Sequence, residues 1–405
     1  MEIIADLHFH SKYSKATSKD MNLENIEKYA KIKGLNLLTT SDFTHPLWFK
    51  EIKQKLVEED GILYRNNLAF LLTTEINLSY IKDKERKVHL ILFSPNLECA
   101  EQINEKLSKF TDLSKDARPT LQLSCVEFLD LMLEIDKKII IIPAHCMTPW
   151  YGIFGSKSGF NKLSEAFEDK TKFIYAVESG LSASPDMLWR IEEIRKINIV
   201  SFSDSHSYWP WRLGREATIF ELNKLDYNAI YDAIKNKDGK NKIKATIEVD
   251  PAYGKYHWDG HRNCNIKLSP EEAIKLNNIC PKCGKKLTIG VEHRVNEISD
   301  KPKNFKPDNA KPFFKLLPLT ELIANFYGKS LNNKKVSEIY NKLIKEFDNE
   351  FNVLMKVEYS KLKKIVKDKI AELIIKNREG KIKVDPGYDG VYGKPIIEEN
   401  QKKLF

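Results

Sequence analysis

Apolar residues open the chain at Ile3, Ile4 and Leu7, and polar ones interrupt them at Asp6, His8 and His10. Side chains alternate between the faces of a strand, so this spacing predicts a first strand with Asp6, His8 and His10 on one face. Residues 22–34, NLENIEKYAKIKG, have helical apolar spacing and a glycine where the helix would stop. LNLLTTSD reads as the next strand. NLAFLLTTEINLSY and KVHLILFSP are strand-like, SCVEFLDLMLEIDKK is helical, and IIIIPAHC reads as a fully buried strand of the parallel type. FIYAVESG, SPDMLWRIEEIRK and NIVSFSDSH repeat strand, helix, strand. Repeating units of this kind predict an α/β fold with a parallel sheet or a closed barrel. Polar residues recur at the strand ends, which is where α/β barrels place their sites.

The pattern changes after residue 218. LDYNAIYDAIKN predicts one more helix, followed by the Lys/Asn/Gly-rich KNKDGKNK and a Cys/His segment at roughly 251–300. SDKPKNFKPDNAKP is a linker, and a Lys-rich helical region follows, closing on the turn-rich VDPGYDGVYGKPII. This organisation predicts three parts: 1–222, 223–310 and 311–405. A chain of 405 residues with 42% hydrophobic residues can bury cores in two or three domains. The absence of a bilayer-length apolar run and of a basic leader predicts a cytoplasmic protein with no membrane partner. The net charge of +9 is uneven, because residues 301–405 alone hold 23 Lys and Arg against 14 Asp and Glu. A single Lys run is most often a solvated helix face, but a basic end on a neutral body suits a polyanion.

Six of the nine histidines (His8, His10, His45, His89, His145 and His206) fall at or just after predicted strand ends. One isolated histidine is more often a packed side chain than a ligand. Here six coincide with acids in matching places: Asp42, Glu75, Glu178 and Asp204. Imidazole and carboxylate together are the donors of Zn, Mn or Fe sites. Ions held by such a set lower the pKa of water and polarise phosphoryl oxygens, which suits phosphoester hydrolysis. No P-loop, dinucleotide fingerprint or nucleophile elbow supports an NTPase, a dehydrogenase or a serine hydrolase.

DLHFH, SDFTH, Glu75, VH at 88–89, PAH at 143–145 and DSH at 204–206 together resemble the PHP (polymerase and histidinol phosphatase) superfamily. That resemblance implies a distorted β/α barrel with a site for two or three divalent ions (Zn, Mn or Mg). Carried onto this chain, it implies metal ligands among His8, His10, Asp42, His45, Glu75, His89, His145, Glu178, Asp204 and His206. His10, Asp204 and His206 are the expected catalytic residues. Many members place His directly after the motif Asp; this chain has Phe43 there and His45 two residues later, so Asp42 or His45 could orient a ligand instead of binding an ion.

His261, Cys264, Cys280 and Cys283 form two ligand pairs of the spacing that builds a structural zinc site, with His257 and His293 as alternatives to His261. PWYGIFGSKSGF and SYWPWRLGRE flank His145 and His206. They offer Trp150, Tyr151, Ser156, Lys157, Trp209, Trp211, Arg212 and Arg215 for stacking bases and neutralising phosphates, although about half of such aromatics normally serve core packing. With GKYHWDGHRNC, CPKCGKKLTIGV and LLPLTELIA, these segments resemble the endonuclease Q family up to about residue 325. The resemblance implies a DNA repair nuclease that cuts 5′ of deaminated bases (uracil, hypoxanthine, xanthine) and abasic sites. It further implies one structural zinc, and replication or repair proteins are further candidate partners. Two rivals stand beside it. A small-molecule phosphatase of the histidinol phosphatase type would leave the long zinc-bearing extension unexplained. A non-catalytic DNA-binding module would bind DNA in a salt-sensitive way without metal-dependent cleavage.

Overall fold

The structure is a computed structural model that describes residues 1–235 and 239–397, so part of the KNKDGKNK segment and the last eight residues lie outside the described residues. Strands run in chain order as β1 (Glu2–Asp6), β2 (Leu37–Thr39), β3 (Val57–Glu59), β4 (Ile62–Arg65), β5 (Leu68–Leu71), β6 (Thr73–Ile81) and β7 (Glu85–Phe93). They continue as β8 (Thr120–Leu121), β9 (Ile140–Pro143), β10 (Ala176–Glu178), β11 (Asn198–Val200), β12 (Ala217–Glu221) and β13 (Lys242–Glu248). Beyond these come β14 (Asp259–His261), β15 (Ile266–Leu268), β16 (Phe313–Lys315), β17 (Lys383–Asp385) and β18 (Lys394–Ile396).

Eight of these strands form one mixed sheet in the order β16-β13-β12-β1-β2-β5-β4-β3, and β8-β6-β7-β9 form a second sheet. β1, β2 and β5 are parallel, as are β10 and β11. β6 with β8 and β13 with β16 are parallel as well, and tight turns impose antiparallel pairing on β3, β4 and β5 and on β6 and β7. Asp60–Gly61 and Asn66–Asn67 all have positive φ, the geometry of two-residue hairpin turns, and three residues between β6 and β7 leave no room for a crossover. β9, expected as a parallel strand, pairs antiparallel with β7. Among the described residues no continuous ladder joins the sheets into the expected barrel. Single hydrogen bonds link them around one centre instead: Ser94 N to Leu72 O, Cys146 N to Glu178 O, Asp204 N to His8 O and His10 N to Ser205 O, each 2.8–2.9 Å.

Local signals account for several elements. The helix Leu23–Lys33 starts at Asn22, whose side chain accepts from Asn25 N, and stops at Gly34 with φ 96°. The helix Cys125–Ile135 carries a capping box built from Ser124 and Glu127. The helix expected over SPDMLWRIEEIRK is broken into Pro185–Leu188 and a 3-10 turn, Glu193–Lys196. Its interruption has a tertiary cause, because Arg190 O accepts from both Asp300 N and Lys301 N of the linker.

Helices Leu319–Tyr327, Lys334–Phe347, Tyr359–Ile365 and Asp368–Arg378 lie in the C-terminal region. One apolar cluster runs from Ile4 through Leu317 and Leu319 to Ile374, so these helices share a core with the sheets. The β17–β18 hairpin returns to the Cys/His segment, where Tyr388 bridges to Trp258 and Lys267 pairs with Asp385 at 2.6 Å. Among the described residues no helix is long and apolar enough to cross a membrane.

Candidate metal centre

The polar residues at the ends of β1, β6, β9, β10 and β11 converge on the centre that those single hydrogen bonds surround. Two groups have ligand atoms within 4.8 Å of one another: His8 with His10 and Asp204, and Glu75 with His89 and His145. Glu75 joins them. Its Oε1 lies 2.7 Å from His89 Nδ1, 3.1 Å from His145 Nε2 and 3.7 Å from His8 Nε2, and its Oε2 lies 3.4 Å from His10 Nε2. His10 Nε2 is 3.1 Å from Asp204 Oδ1.

The surrounding groups aim these rings. Glu178 Oε1 meets His8 Nδ1 at 2.9 Å and its Oε2 accepts from His145 N at 2.6 Å, so Nε2 of His8 faces inward. Asp42 accepts from Ser11 N and Ser11 Oγ and lies 3.2 Å from His10 Nδ1. Both carboxylates thus occupy the ring nitrogen opposite the inward one, the usual way a ligand imidazole is oriented. His206 Nδ1 is 3.1 Å from Asp204 O, and its ring packs on His10 at 4.6 Å. His45 turns away: its ring stacks on Tyr13 at 4.3 Å and its Nε2 is 3.2 Å from Ser114 O. Asp6, expected to share a strand face with the histidines, is instead the last residue of β1; it accepts from Ser203 N and Gly214 N and so braces the segment that carries Asp204.

Backbone strain accompanies the convergence. Ser41, Asp42, His145 and Asp204 all adopt positive φ, an arrangement that costs non-glycine residues energy and clusters at functional sites.

The donor set fits divalent cations. His8 Nε2 and Glu75 Oε2 are buried without a hydrogen-bond partner, and both belong to the inward-facing groups. Burial pulls His8 and His10 down, but the carboxylates around them outweigh it and push them up to about 10 and about 9. The same pairing outweighs burial at Glu75 and Asp204 and holds both carboxyls below the usual carboxylate range. A pocket that would hold protons this firmly is one whose acid charge calls for positive partners, and a metal ion meets that demand more fully. Mixed nitrogen and oxygen donors suit Zn or Mn.

A second cluster, His261, Cys264, Cys280 and Cys283, also has its ligand atoms within 4.8 Å, with His261 Nδ1 3.4 Å from Cys283 Sγ. The two other histidines are engaged elsewhere: His293 Nδ1 is 2.6 Å from Asp259 Oδ2, and His257 Nε2 is 3.4 Å from Glu292. Gly284 follows Cys283 with φ 70°, and its N–H donates to Cys280 O, which closes the turn around the cysteine pair.

The residues expected to meet DNA divide. Trp150 is 40% exposed and Lys157 Nζ lies 6.0 Å from its ring centroid. Tyr151 stacks on His89 at 4.3 Å, and Ser156 Oγ donates to Ile289 O. Trp209 and Trp211 are half-buried and stack on each other at 4.9 Å, nearly parallel. The arginines are committed within the protein: Arg212 pairs with Glu321 at 3.1 Å, and buried Arg215 donates from Nε and Nη2 to Ser203 O. Arg118, which no motif marks, has its Nη1 3.9 Å from Glu75 Oε2.

A family described as the MJ0043 C-terminal domain matches residues 318–381. The crystal structure of the lesion-specific endonuclease PfuEndoQ from Pyrococcus furiosus is similar over the whole chain, with a TM-score of 0.88, 34% identity, and coverage of 100% of this chain and 98% of that one. A crystal structure of endonuclease Q with a 27-mer duplex substrate that has an abasic lesion at the active site gives a TM-score of 0.89 at 35% identity, covering 98% of both chains. Protein MJ0043 of Methanocaldococcus jannaschii is 37% identical over 273 residues; the match takes in 65% of this chain and only 33% of that relative's length.

Proposed function

The chain belongs to the endonuclease Q family and is a hydrolase of the DNA endonuclease class, and from that premise we propose that it cuts the backbone on the 5′ side of deaminated bases (uracil, hypoxanthine, xanthine) and abasic sites. The observation that supports this reading is the convergence of His8, His10 and Asp204 with Glu75, His89 and His145 beside an aromatic, Gly- and Ser-rich loop. In it, residues 1–222 form the hydrolytic part, 223–310 hold the structural zinc and linker, and 311–405 add a basic helical surface for the duplex.

Those six residues would hold the catalytic ions, with Glu178 and Asp42 fixing the rings of His8 and His10. When bound, divalent ions at such donors lower the pKa of water and stabilise charge on phosphoryl oxygens. The protein's own groups do the rest. Asp204 remains a carboxylate at neutral pH and, with a side chain 32% exposed, presents a fixed charge at the mouth of the site. Burial lowers His206 below the usual imidazole range, so its ring is neutral near pH 7. Its Nδ1 can donate to Asp204 O, which leaves the lone pair on Nε2 to take a proton. Trp150 with Lys157, and the Trp209–Trp211 stack, offer π-faces and charge to an unstacked nucleotide.

Incision of end-labelled duplexes carrying uracil, hypoxanthine, an abasic site or no lesion, with and without added Mn, Mg or Zn, tests the reading. Cutting confined to the lesion strands, 5′ of the lesion and dependent on metal, is expected. Equal cutting of the undamaged duplex would overturn it, as would an Asp204→Asn protein that incises normally.

A further inference from the structure

Arg118 lies on a loop that precedes β8, and its backbone is tied to the strand that carries Glu75. Pro119 O accepts from Asn77 N at 3.0 Å, Thr120 pairs with Asn77 in the ladder, and Ala117 O accepts from Thr44 Oγ1. One end of the guanidinium is anchored too, because Nη2 donates to Lys15 O at 3.1 Å. Lys15 N and Arg118 N both donate to Asp116 Oδ1, which holds the two loops together. The other end, Nη1, stands 3.9 Å from Glu75 Oε2, an atom that is buried and lacks a hydrogen bond. The side chain is 23% exposed, so it borders the metal centre and solvent at once.

We propose that Arg118 is a catalytic residue of the incision reaction, its guanidinium binding a non-bridging oxygen of the phosphodiester that is cut. The inference rests on reading the His/Asp/Glu cluster as the hydrolytic centre. Four carboxylates, Asp42, Glu75, Glu178 and Asp204, surround that centre, and Arg118 is a cationic side chain at its edge. A planar guanidinium held by its own backbone contacts presents donors to a phosphoryl oxygen without reorganising. Arg212 and Arg215 are already committed to Glu321 and to Ser203 O, so they supply no equivalent group at this edge of the site.

Removing a preorganised donor from developing transition-state charge lowers kcat by about 10²–10³-fold. The test compares wild type, Arg118→Ala and Arg118→Lys in single-turnover incision of the abasic duplex, with and without added guanidinium chloride at low millimolar concentration. Calorimetric titration with inorganic phosphate, independent of cutting, runs beside it. Arg118→Ala is expected to lose that rate, to bind phosphate at least about tenfold more weakly and to regain rate with guanidinium, because a small planar cation can occupy the vacated position. Arg118→Lys is expected to keep phosphate binding within a few-fold and to recover only part of the rate, since it supplies a point charge without the fork. Wild-type rate and unchanged phosphate affinity in Arg118→Ala would overturn the proposal. So would a rate loss that guanidinium does not restore and that coincides with a lower unfolding midpoint. A wild-type protein that fails to incise any lesion would sink the endonuclease reading, while the phosphate titration would still decide for or against Arg118.

Discussion

Replacing Lys33 by Met should show how strongly the C-terminal helices are coupled to the site. Lys33 ends the helix Leu23–Lys33, and its Nζ donates to Glu350 Oε1 at 2.8 Å and to Pro210 O at 2.7 Å. The side chains are only 1% and 0% exposed. Glu350 has two further donors, Leu319 N at 3.0 Å and Tyr340 Oη at 2.8 Å. Methionine nearly matches the lysine stem in volume, so the change removes charge and two hydrogen bonds without opening a large cavity. What remains is a buried carboxylate with two of three donors, and breaking a buried pair in this way costs about 3–5 kcal/mol. With an unfolding entropy of about 2 cal/mol/K per residue, a chain of this length loses about 4–6 °C of midpoint. Adding Glu350→Gln removes the orphaned charge, so the double variant should be more stable than Lys33→Met alone. Pro210 sits in the loop of Trp209 and Trp211, so KM for the abasic duplex should rise several-fold while kcat changes little. Calorimetry and steady-state incision measure both effects. A midpoint within about 1 °C of wild type would refute the reasoning, because a solvent-screened pair would behave that way.

Gly180→Ala should damage the metal centre from behind. At φ 62° a Cβ would stand 2.7 Å from His145 Cβ, and a displacement near 1 Å at a catalytic group costs on the order of 10²-fold in rate; unchanged kcat and metal content would refute this. Glu248, buried and bonded to Ser179 and Ser201, should make stability fall with rising pH. Burial pushes it up to about 8 from an ordinary value of 4.5, so the folded state keeps a proton that the unfolded chain releases between those limits. Glu248→Gln removes that dependence, and the midpoint gap between Glu248→Gln and wild type should widen from pH 5 to pH 8; a constant gap would contradict it.

Much of the fold was legible where local chemistry decides it. Asn22 and Gly34 bracket a helix by capping, and the alternation in residues 2–10 places β1 with its polar end in the site. The run IIIIPAHC was legible as a buried strand, but its partner was not. An apolar run buried on both faces looks the same whether its neighbour is parallel or antiparallel. The linker that breaks the helix after Leu188 acts through Asp300 and Lys301, more than a hundred residues away, and leaves no local mark. Barrel closure met the same limit. It depends on register between β5, β7, β9, β10, β11 and β1, and in this chain single hydrogen bonds at the strand ends join the sheets.

The site shows where pattern reading stops being sufficient. Motifs named the histidines and acids, because ligand types are few and strand ends are recognisable. Their aim is set by backbone torsions: Ser41, Asp42, His145 and Asp204 turn through positive φ at the strand ends, so alternation no longer predicts which way a side chain faces beyond them. Asp6, the last residue of β1, caps Ser203 N and Gly214 N instead of facing the centre with His8 and His10, and His45 follows Asp42 by three residues yet packs on Tyr13. Aromatic and basic loops told a similar half-truth, since Trp150 is open to solvent while Arg215 is spent on a carbonyl. Arg118 marks the limit most sharply. It belongs to no repeated pattern and stands 29 residues from His89 and 27 from His145 in the chain. It reaches the centre because Asn77, two residues beyond Glu75, holds the backbone on its far side. A residue recruited by strand pairing carries its functional signal in the pairing, and only a fold reveals that.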